Sequence, residues 1–232
     1  MAWSRRRSSN LTIALFLAPA VVLTAVFVYG FILWTVWISL TDWTGLAGVY
    51  RFQGLANYLQ LFRDSRFLTD LRNNLILLAF FVGVTTPLGL FLAILLDQRV
   101  RGEGFFRTVF LFPMALSFVI TGTVWAWLYN PTDGINTIFQ ALGLDWFPLW
   151  IAHPDQALPS VVVAAVWQFA GFAMAMFLGG LRSIPDELRE AAEIDGAGTV
   201  QLYRRVILPL LGPTFFSVVI VLTHIVLKVF DL

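Results

Sequence analysis

Long uninterrupted apolar runs dominate the chain. They cover Leu11–Leu40, Leu75–Leu96, Thr108–Tyr129, Leu158–Leu181 and Val206–Val229, and none of the first four contains a charged residue. A helix needs roughly 20 mostly apolar residues to cross a hydrocarbon core about 30 Å thick. Lipid offers the backbone no hydrogen-bond partner, so such runs must be helices. A closed β-barrel would show shorter segments of alternating polarity. The pattern therefore predicts an all-α, polytopic helical membrane protein with five spans. Arg5, Arg6 and Arg7 precede the first run as they would in a signal peptide. Its apolar stretch is about twice the usual length of such a core, and no Ala-x-Ala exit closely follows, so it reads as a retained anchor.

Composition narrows the picture. Of 232 residues, 59% are hydrophobic and 12% charged, and the mean hydropathy is +0.80. Soluble domains run about 45–50% apolar and about 25% charged, which excludes both a soluble globule and a disordered chain. A net charge of +1, carried by 14 arginines and one lysine against 14 acids, offers no basic face for nucleic acid. Without cysteine there is no disulfide framework and no thiolate metal site.

Charge also sets orientation. With the N-terminus cytoplasmic, Arg5, Arg6, Arg7, Arg99, Arg101, Arg107, Arg182, Arg189, Arg204 and Arg205 lie inside. Only Arg51, Arg63, Arg66, Arg72 and Lys228 lie outside. The positive-inside rule favours that arrangement. It divides the chain into a cytoplasmic tail (1–10), a first transmembrane helix (11–40), an outer loop (41–74) and a transmembrane domain (71–232).

Both outer loops, Thr41–Asn74 and Asn130–Ala157, carry turn formers and aromatics. Trp34, Trp37 and Trp43, and then Trp125, Trp127 and Trp146, suit a headgroup belt or, alternatively, ligand stacking. Pro19, Pro87 and Pro113 fall inside spans, where each removes a helical hydrogen bond and permits a kink. Gly171, Ala175 and Gly179 form a small-residue stripe that allows close helix approach, within the bundle or with a partner.

The segment between the fourth and fifth spans, Arg182–Pro209, is the most informative. Pro185 suits a helix's first turn, and Asp186, Glu187 and Glu190 favour its positive end. Leu188, Ala191, Ala192, Ile194 and Asp195 give a small, partly apolar face, and Gly196 and Gly198 break the helix. A second short helix from Thr199 to Arg205 presents Val200, Leu202 and Tyr203, and Pro209 opens the next span. Two short helices around a glycine turn form either a docking element or a solvated loop.

Residues Glu190-Ala191-Ala192, Gly196 and Leu208-Pro209 match the EAA-x3-G-x9-I-x-LP loop of bacterial ABC importer permeases. The run EAAEIDGA looks like the carbohydrate-uptake version. Val206 stands where the motif has Ile, and Tyr203 where Phe is common. Thr41-Asp42-Trp43, Gly54-Leu55-Ala56-Asn57-Tyr58, Asn73-Asn74 and Arg107–Pro113 extend the resemblance along nearly the whole chain. The chain thus resembles the permease subunit of a sugar or glycerol-phosphate importer, with a type I importer fold. That fold usually has six spans, so five imply a missing sixth.

The resemblance implies that Glu190, Ala191, Ala192, Asp195, Gly196, Tyr203, Leu208 and Pro209 couple the spans to a separate ABC ATPase subunit. It also implies a second permease subunit, an extracytoplasmic solute-binding protein, surrounding membrane lipid and a bacterial inner-membrane location. There is no G-x-x-x-x-G-K-[S/T] loop, and Lys228 is the only lysine. ATP and Mg would therefore sit on the partner ATPase, leaving no cofactor and no catalytic residue in this chain. His153 and Asp155 alone do not make a metal site.

A different class, an ATP-independent facilitator or secondary transporter, stays open. Ion-coupled carriers place ionisable groups within spans, and here only His224 and Lys228 do so. Ser217, Val221, His224, Lys228 and Asp231 share one helical face. With Thr121 and Gln168, that face is expected to turn inward along a solute path, or else to hydrogen-bond between helices.

Overall fold

The computed structural model describes residues 2–43, 50–98, 100–146 and 148–228. Arg99 and Asp231, named above for orientation and for the polar face of the fifth span, lie outside the described residues. The chain divides into two compact units, Met1–Asp70 and Leu71–Leu232.

The first unit is helical from Ala2. Helix α1 (Ala2–Thr24) contains Pro19 and passes through a π-helical segment (Ala25–Gly30) into α2 (Phe31–Ser39). The side chains of Ile13 to Tyr29 are all exposed, which an apolar helix sustains only where lipid surrounds it. Beyond α2 the chain folds back through a bridge between Thr41 and Phe52, and Phe52 stacks on Trp37. Asn57, at the second residue of α3 (Ala56–Leu61), donates from Nδ2 to the Ser39 carbonyl at 2.9 Å and the Thr41 carbonyl at 2.7 Å. The side-chain amide thus closes carbonyls that the end of α2 leaves without helical donors.

Helix α4 (Ser65–Asp97) starts in the last residues of the first unit, ten residues before its apolar run, and continues in the second through Pro87 without a break. Its 33 residues span about 50 Å at 1.5 Å per residue. Leu77, Phe81, Thr85, Gly89, Ala93 and Leu96 form its buried stripe. Helix α8 (Pro154–Arg182), which follows the short α7 (Asn136–Ala141), is the central element, with buried residues from Ser160 to Leu181, and α4, α5 (Glu103–Leu111), α6 (Phe118–Leu128) and α12 (Gly212–Leu227) supply what surrounds it.

The third and fifth spans are not single straight helices. Helix α5 (Glu103–Leu111) runs into a 3-10 turn (Phe112–Ala115) containing Pro113, and α6 (Phe118–Leu128) leaves at 98°. Leu116 and Ser117 are extended at the break, and the Ser117 hydroxyl accepts from the Ile120 N–H. The fifth is continuously helical from Thr199 to Leu210. Its pieces are α10 (Thr199–Leu202), a π-helical segment (Tyr203–Ile207) and α11 (Leu208–Leu210). It then bends by 65° into α12 (Gly212–Leu227). Among the described residues three helices are long and apolar enough to cross a membrane unbroken, or up to five segments if each bent pair is one span.

The small-residue stripe does not work as one surface. A Cβ at Gly171 would collide with the Phe110 carbonyl of α5, whereas one at Gly179 would touch nothing. A second tight crossing puts Gly89 of α4 against Ala173. Helices that cross touch at one point, so equal spacing along α8 does not produce a continuous seam. Gly171→Ala is expected to cost roughly 1–3 kcal/mol through overpacking, read as a lower Tm in detergent. Gly179→Ala should leave Tm unchanged or raise it.

Candidate coupling loop and solute cavity

Below α8 the chain turns into α9 (Asp186–Ile194), with Pro185 as its N-cap and Asp186 and Glu187 in its first turn. The helix ends in a Schellman motif. The Ala197 N–H donates to the Ala192 carbonyl at 2.9 Å and the Gly196 N–H to the Glu193 carbonyl at 3.0 Å. Gly196 sits at φ +78°, a left-handed conformation that costs a Cβ-bearing residue roughly 1–2 kcal/mol. Gly198, at φ −69°, is an ordinary extended N-cap of α10, and its N–H donates to Gln201 Oε1.

The eight loop residues divide into two sets. Glu190, Ala191, Asp195, Gly196 and Pro209 are exposed, while Ala192, Tyr203 and Leu208 pack against the core. Leu202 is buried rather than presented outward, because α10 lays that side on the bundle. The most exposed large apolar residues of the loop are Ile194, at 86%, and Val200, at 79%. A free face of carboxylates, small residues and two large aliphatics flanks the glycine turn.

The inward side is polar and paired. Arg189 of α9 meets Asp97, the last residue of α4, with Nη1 at 2.9 Å from Oδ2, and its Nη2 donates to the Leu181 carbonyl at 3.2 Å. The Tyr203 hydroxyl donates to the same Oδ2 at 3.0 Å and accepts from Gln98 Nε2 at 2.9 Å. The Asp97 side chain is only 7% exposed. Burial pushes the Arg189 guanidinium down, but the hydrogen bond and charge of Asp97, with Tyr203 behind them, hold it above its ordinary value. Alongside, Glu103 bridges Arg182 at 2.8 Å and Arg107 at 2.6 Å. The sequence reading missed Asp97 and Gln98. The only signal for Asp97 was an acid directly abutting an apolar run.

A cavity of about 270 Å³ lies higher in this unit, lined by Phe81, Phe118, Thr121, Trp125, Tyr129 and Gln168 among others. Thr121 Oγ1 and Trp125 Nε1 are buried there without a hydrogen-bond partner. Trp125 is half-buried in the cavity wall, whereas Trp127 is exposed. Gln168 Nε2 donates to the Leu116 carbonyl at 3.3 Å, at the break between α5 and α6. Ser217 and His224 do not join this cavity. Val218, Leu222 and Val226 form the buried face of α12, which leaves Ser217 and His224 exposed and the Ser217 hydroxyl bonded to the Pro213 carbonyl. The expectation of one shared inward face is corrected accordingly. His153 caps α8, its Nδ1 accepting from the Asp155 N–H. Among the described residues, no three His, Asp or Glu side chains come together as a metal site would require.

Fold and loop together define a multi-pass membrane permease. The family described as binding-protein-dependent transport system inner membrane component matches residues 85–230, and the chain belongs to it. It is 50% identical over 229 residues to a probable ABC transporter permease of Pyrococcus horikoshii, covering 97% of this chain and 78% of that one. It is 42% identical to a xylose/arabinose import permease of Haloferax volcanii, covering 90% of this chain and 66% of that relative. The fold matches a chain in the crystal structure of a bacterial alginate ABC transporter in complex with an alginate pentasaccharide-bound periplasmic protein. That match has a TM-score of 0.79 at 23% identity and covers 95% of this chain and 73% of that one.

Gly196→Ala should strain the Schellman turn by about 1.4 kcal/mol, roughly a tenfold shift in its opening. Hydrogen exchange at Gly196 and Ala197 checks this. Gly198→Ala should leave the same amides unchanged.

Proposed function

We infer that this chain is the membrane-spanning subunit of an ATP-driven importer for a sugar or a related polyol or glycerol-phosphate solute. The observation that carries the reading is the outward face around Gly196. Glu190, Ala191, Asp195, Ile194 and Val200 stand free there, while Ala192, Tyr203 and Leu208 fasten the same loop to the bundle. An exposed face on a firmly held loop is what a docking element requires, and small residues let a partner approach closely.

The partner in this reading is a separate ATPase subunit that binds ATP and Mg, since the chain has no phosphate-binding loop of its own. A second permease subunit completes the path, and an extracytoplasmic solute-binding protein delivers the solute. The N-terminus lies in the cytoplasm, and the protein spans the cell's inner membrane. Sugar as the solute class is supported by the xylose/arabinose name of the Haloferax volcanii relative.

The solute path is assigned to the cavity beside α6 and α8. Its volume lies near the lower edge of the roughly 300–1,000 Å³ usual for small-molecule pockets. Thr121 Oγ1 and Trp125 Nε1 offer unpaired polar groups on an aromatic wall, suited to a hydroxyl-rich ring. Gln168 holds the wall in place through Leu116. Ser217 and His224 belong to this path only if the second permease subunit covers the exposed side of α12.

Uptake of labelled xylose into membrane vesicles carrying the assembled transporter should require ATP and survive a protonophore. Xylose that equilibrates without ATP would overturn the importer reading in favour of a facilitator. In the same vesicles Thr121→Val is expected to raise the KM for uptake several-fold. Stability should hold or improve, because an orphaned buried hydroxyl costs roughly 1–3 kcal/mol.

A further inference from the structure

We propose that Asp97, Arg189 and Tyr203 form a relay joint that carries movement of the coupling loop into α4 and α8. The proposal rests on the coupling role assigned above to the loop and says how its motion reaches the spans. One carboxylate oxygen, Asp97 Oδ2, receives both the Arg189 guanidinium at 2.9 Å and the Tyr203 hydroxyl at 3.0 Å. Arg189 lies in α9, Tyr203 follows α10, and Asp97 ends α4. A single acceptor therefore ties both halves of the helix–turn–helix to one transmembrane helix.

The other Arg189 nitrogen, Nη2, adds α8 by donating to the Leu181 carbonyl in its last turn. The planar guanidinium fork fixes α9 in direction as well as distance, which a point charge on a flexible stem would not. Arg189 directly precedes Glu190 on the docking face, and the Gly196 turn separates it from Tyr203.

Chemistry makes the joint stiff. The Asp97 side chain is 7% exposed and that of Arg189 21%, so neither charge can exchange its partner freely for water. Removing one partner of such a pair leaves the other buried and uncompensated. The nearby Glu103, Arg107 and Arg182 pairs sit on half-exposed arginines and tie α5 to α8 without touching α9. They brace the bundle, whereas the Asp97 joint alone among these pairs links it to the docking helix. A push on the outward face thus has a short polar route to α4 and α8. These residues position the spans and contact neither nucleotide nor solute.

The test uses the assembled transporter and hydrogen exchange, with ATP, Mg and vanadate as probe against the nucleotide-free complex. In the wild type, trapping should alter exchange both in residues 182–209 and in the last three turns of α4. In Tyr203→Phe, which deletes one hydroxyl, and in Arg189→Lys, which keeps the charge but loses the fork, the loop should still respond. The α4 response should fall by roughly five-fold or more, the lower end of ordinary coupling factors between sites. A purely structural role would alter both regions together, or neither.

An undiminished α4 response in both variants would overturn the joint. So would loss of the ATPase from the Tyr203→Phe complex, since the hydroxyl would then be maintaining the docking face. A wild-type loop that ignores trapping would overturn the coupling role itself, and the joint with it. The Asp97→Asn variant adds a check. An amide oxygen can still accept from Tyr203 and Arg189 but carries no charge to compensate the buried guanidinium, so its α4 response should fall at least as far.

Discussion

A peptide group inside a membrane must find its hydrogen bond within the protein, and that demand organises the second unit around α8. The third span breaks by 98° at Leu116 and Ser117, which exposes backbone groups at a depth where lipid cannot satisfy them. Helix α8 answers with two residues one turn apart. Gly171 lets the α5 backbone approach at Phe110, and Gln168 donates to the freed Leu116 carbonyl. Ser117 closes the other side of the break by accepting from Ile120. The bend is therefore held from outside as well as permitted by Pro113. Because α6 leaves at such an angle, a cavity opens between it and α8, and Thr121 and Trp125 look into it. The break, its supports and the cavity follow from one constraint.

At the other end of α8 charge is added to apolar packing. Leu181 is the last fully buried residue of the helix, and beyond it ion pairs and a backbone turn join the packing of Ile184, Leu202 and Ile207 in holding the chain. The loop has two faces with different jobs. Its inner face is committed: Ala192 packs inward, Leu202 is buried, and Arg189 and Tyr203 converge on Asp97. Its outer face has no partner within the described chain, and it carries aliphatic side chains that water penalises. Docking would relieve that exposure without disturbing the inner contacts.

Span count and loop position were legible because hydropathy at this intensity leaves few alternatives. The Gly196 turn was legible because a glycine after a helical run signals a left-handed C-cap. What could not be read were the angles and the helix rotations. Pro113 announced a kink, but nothing local distinguishes a bend of this size from the intact passage of α4 through Pro87. The face of α12 was misjudged because Ser217, His224 and Lys228 were weighed by polarity alone. Val218, Leu222 and Val226 form an equally regular stripe one or two positions away, and packing against α8 chose that one. The Asp97 joint was invisible for a different reason: its members are 92 and 106 residues apart in sequence. Gln168 was noticed as polar, but its bond to a carbonyl 52 residues earlier depends on where the third span breaks.

These arrangements bear on how such a subunit could move. A bundle whose spans touch at glycine crossings, Gly171 at Phe110 and Gly89 at Ala173, has contact points where backbones nearly meet. Close backbone contacts resist separation but permit rotation about the point of contact. The bent third and fifth spans add places where direction changes without breaking further hydrogen bonds. Motion by rotation of α4 against α8 is then cheaper than separation of the two helices, and the polar joint lies at the loop end of both. A torque applied there would have its longest lever on the cavity end, where Phe81 of α4 and Phe169 of α8 meet edge to face at the wall. Small rotations at the loop would thus change the shape of the cavity, connecting the exposed loop face to it through rigid helices and a few crossing points.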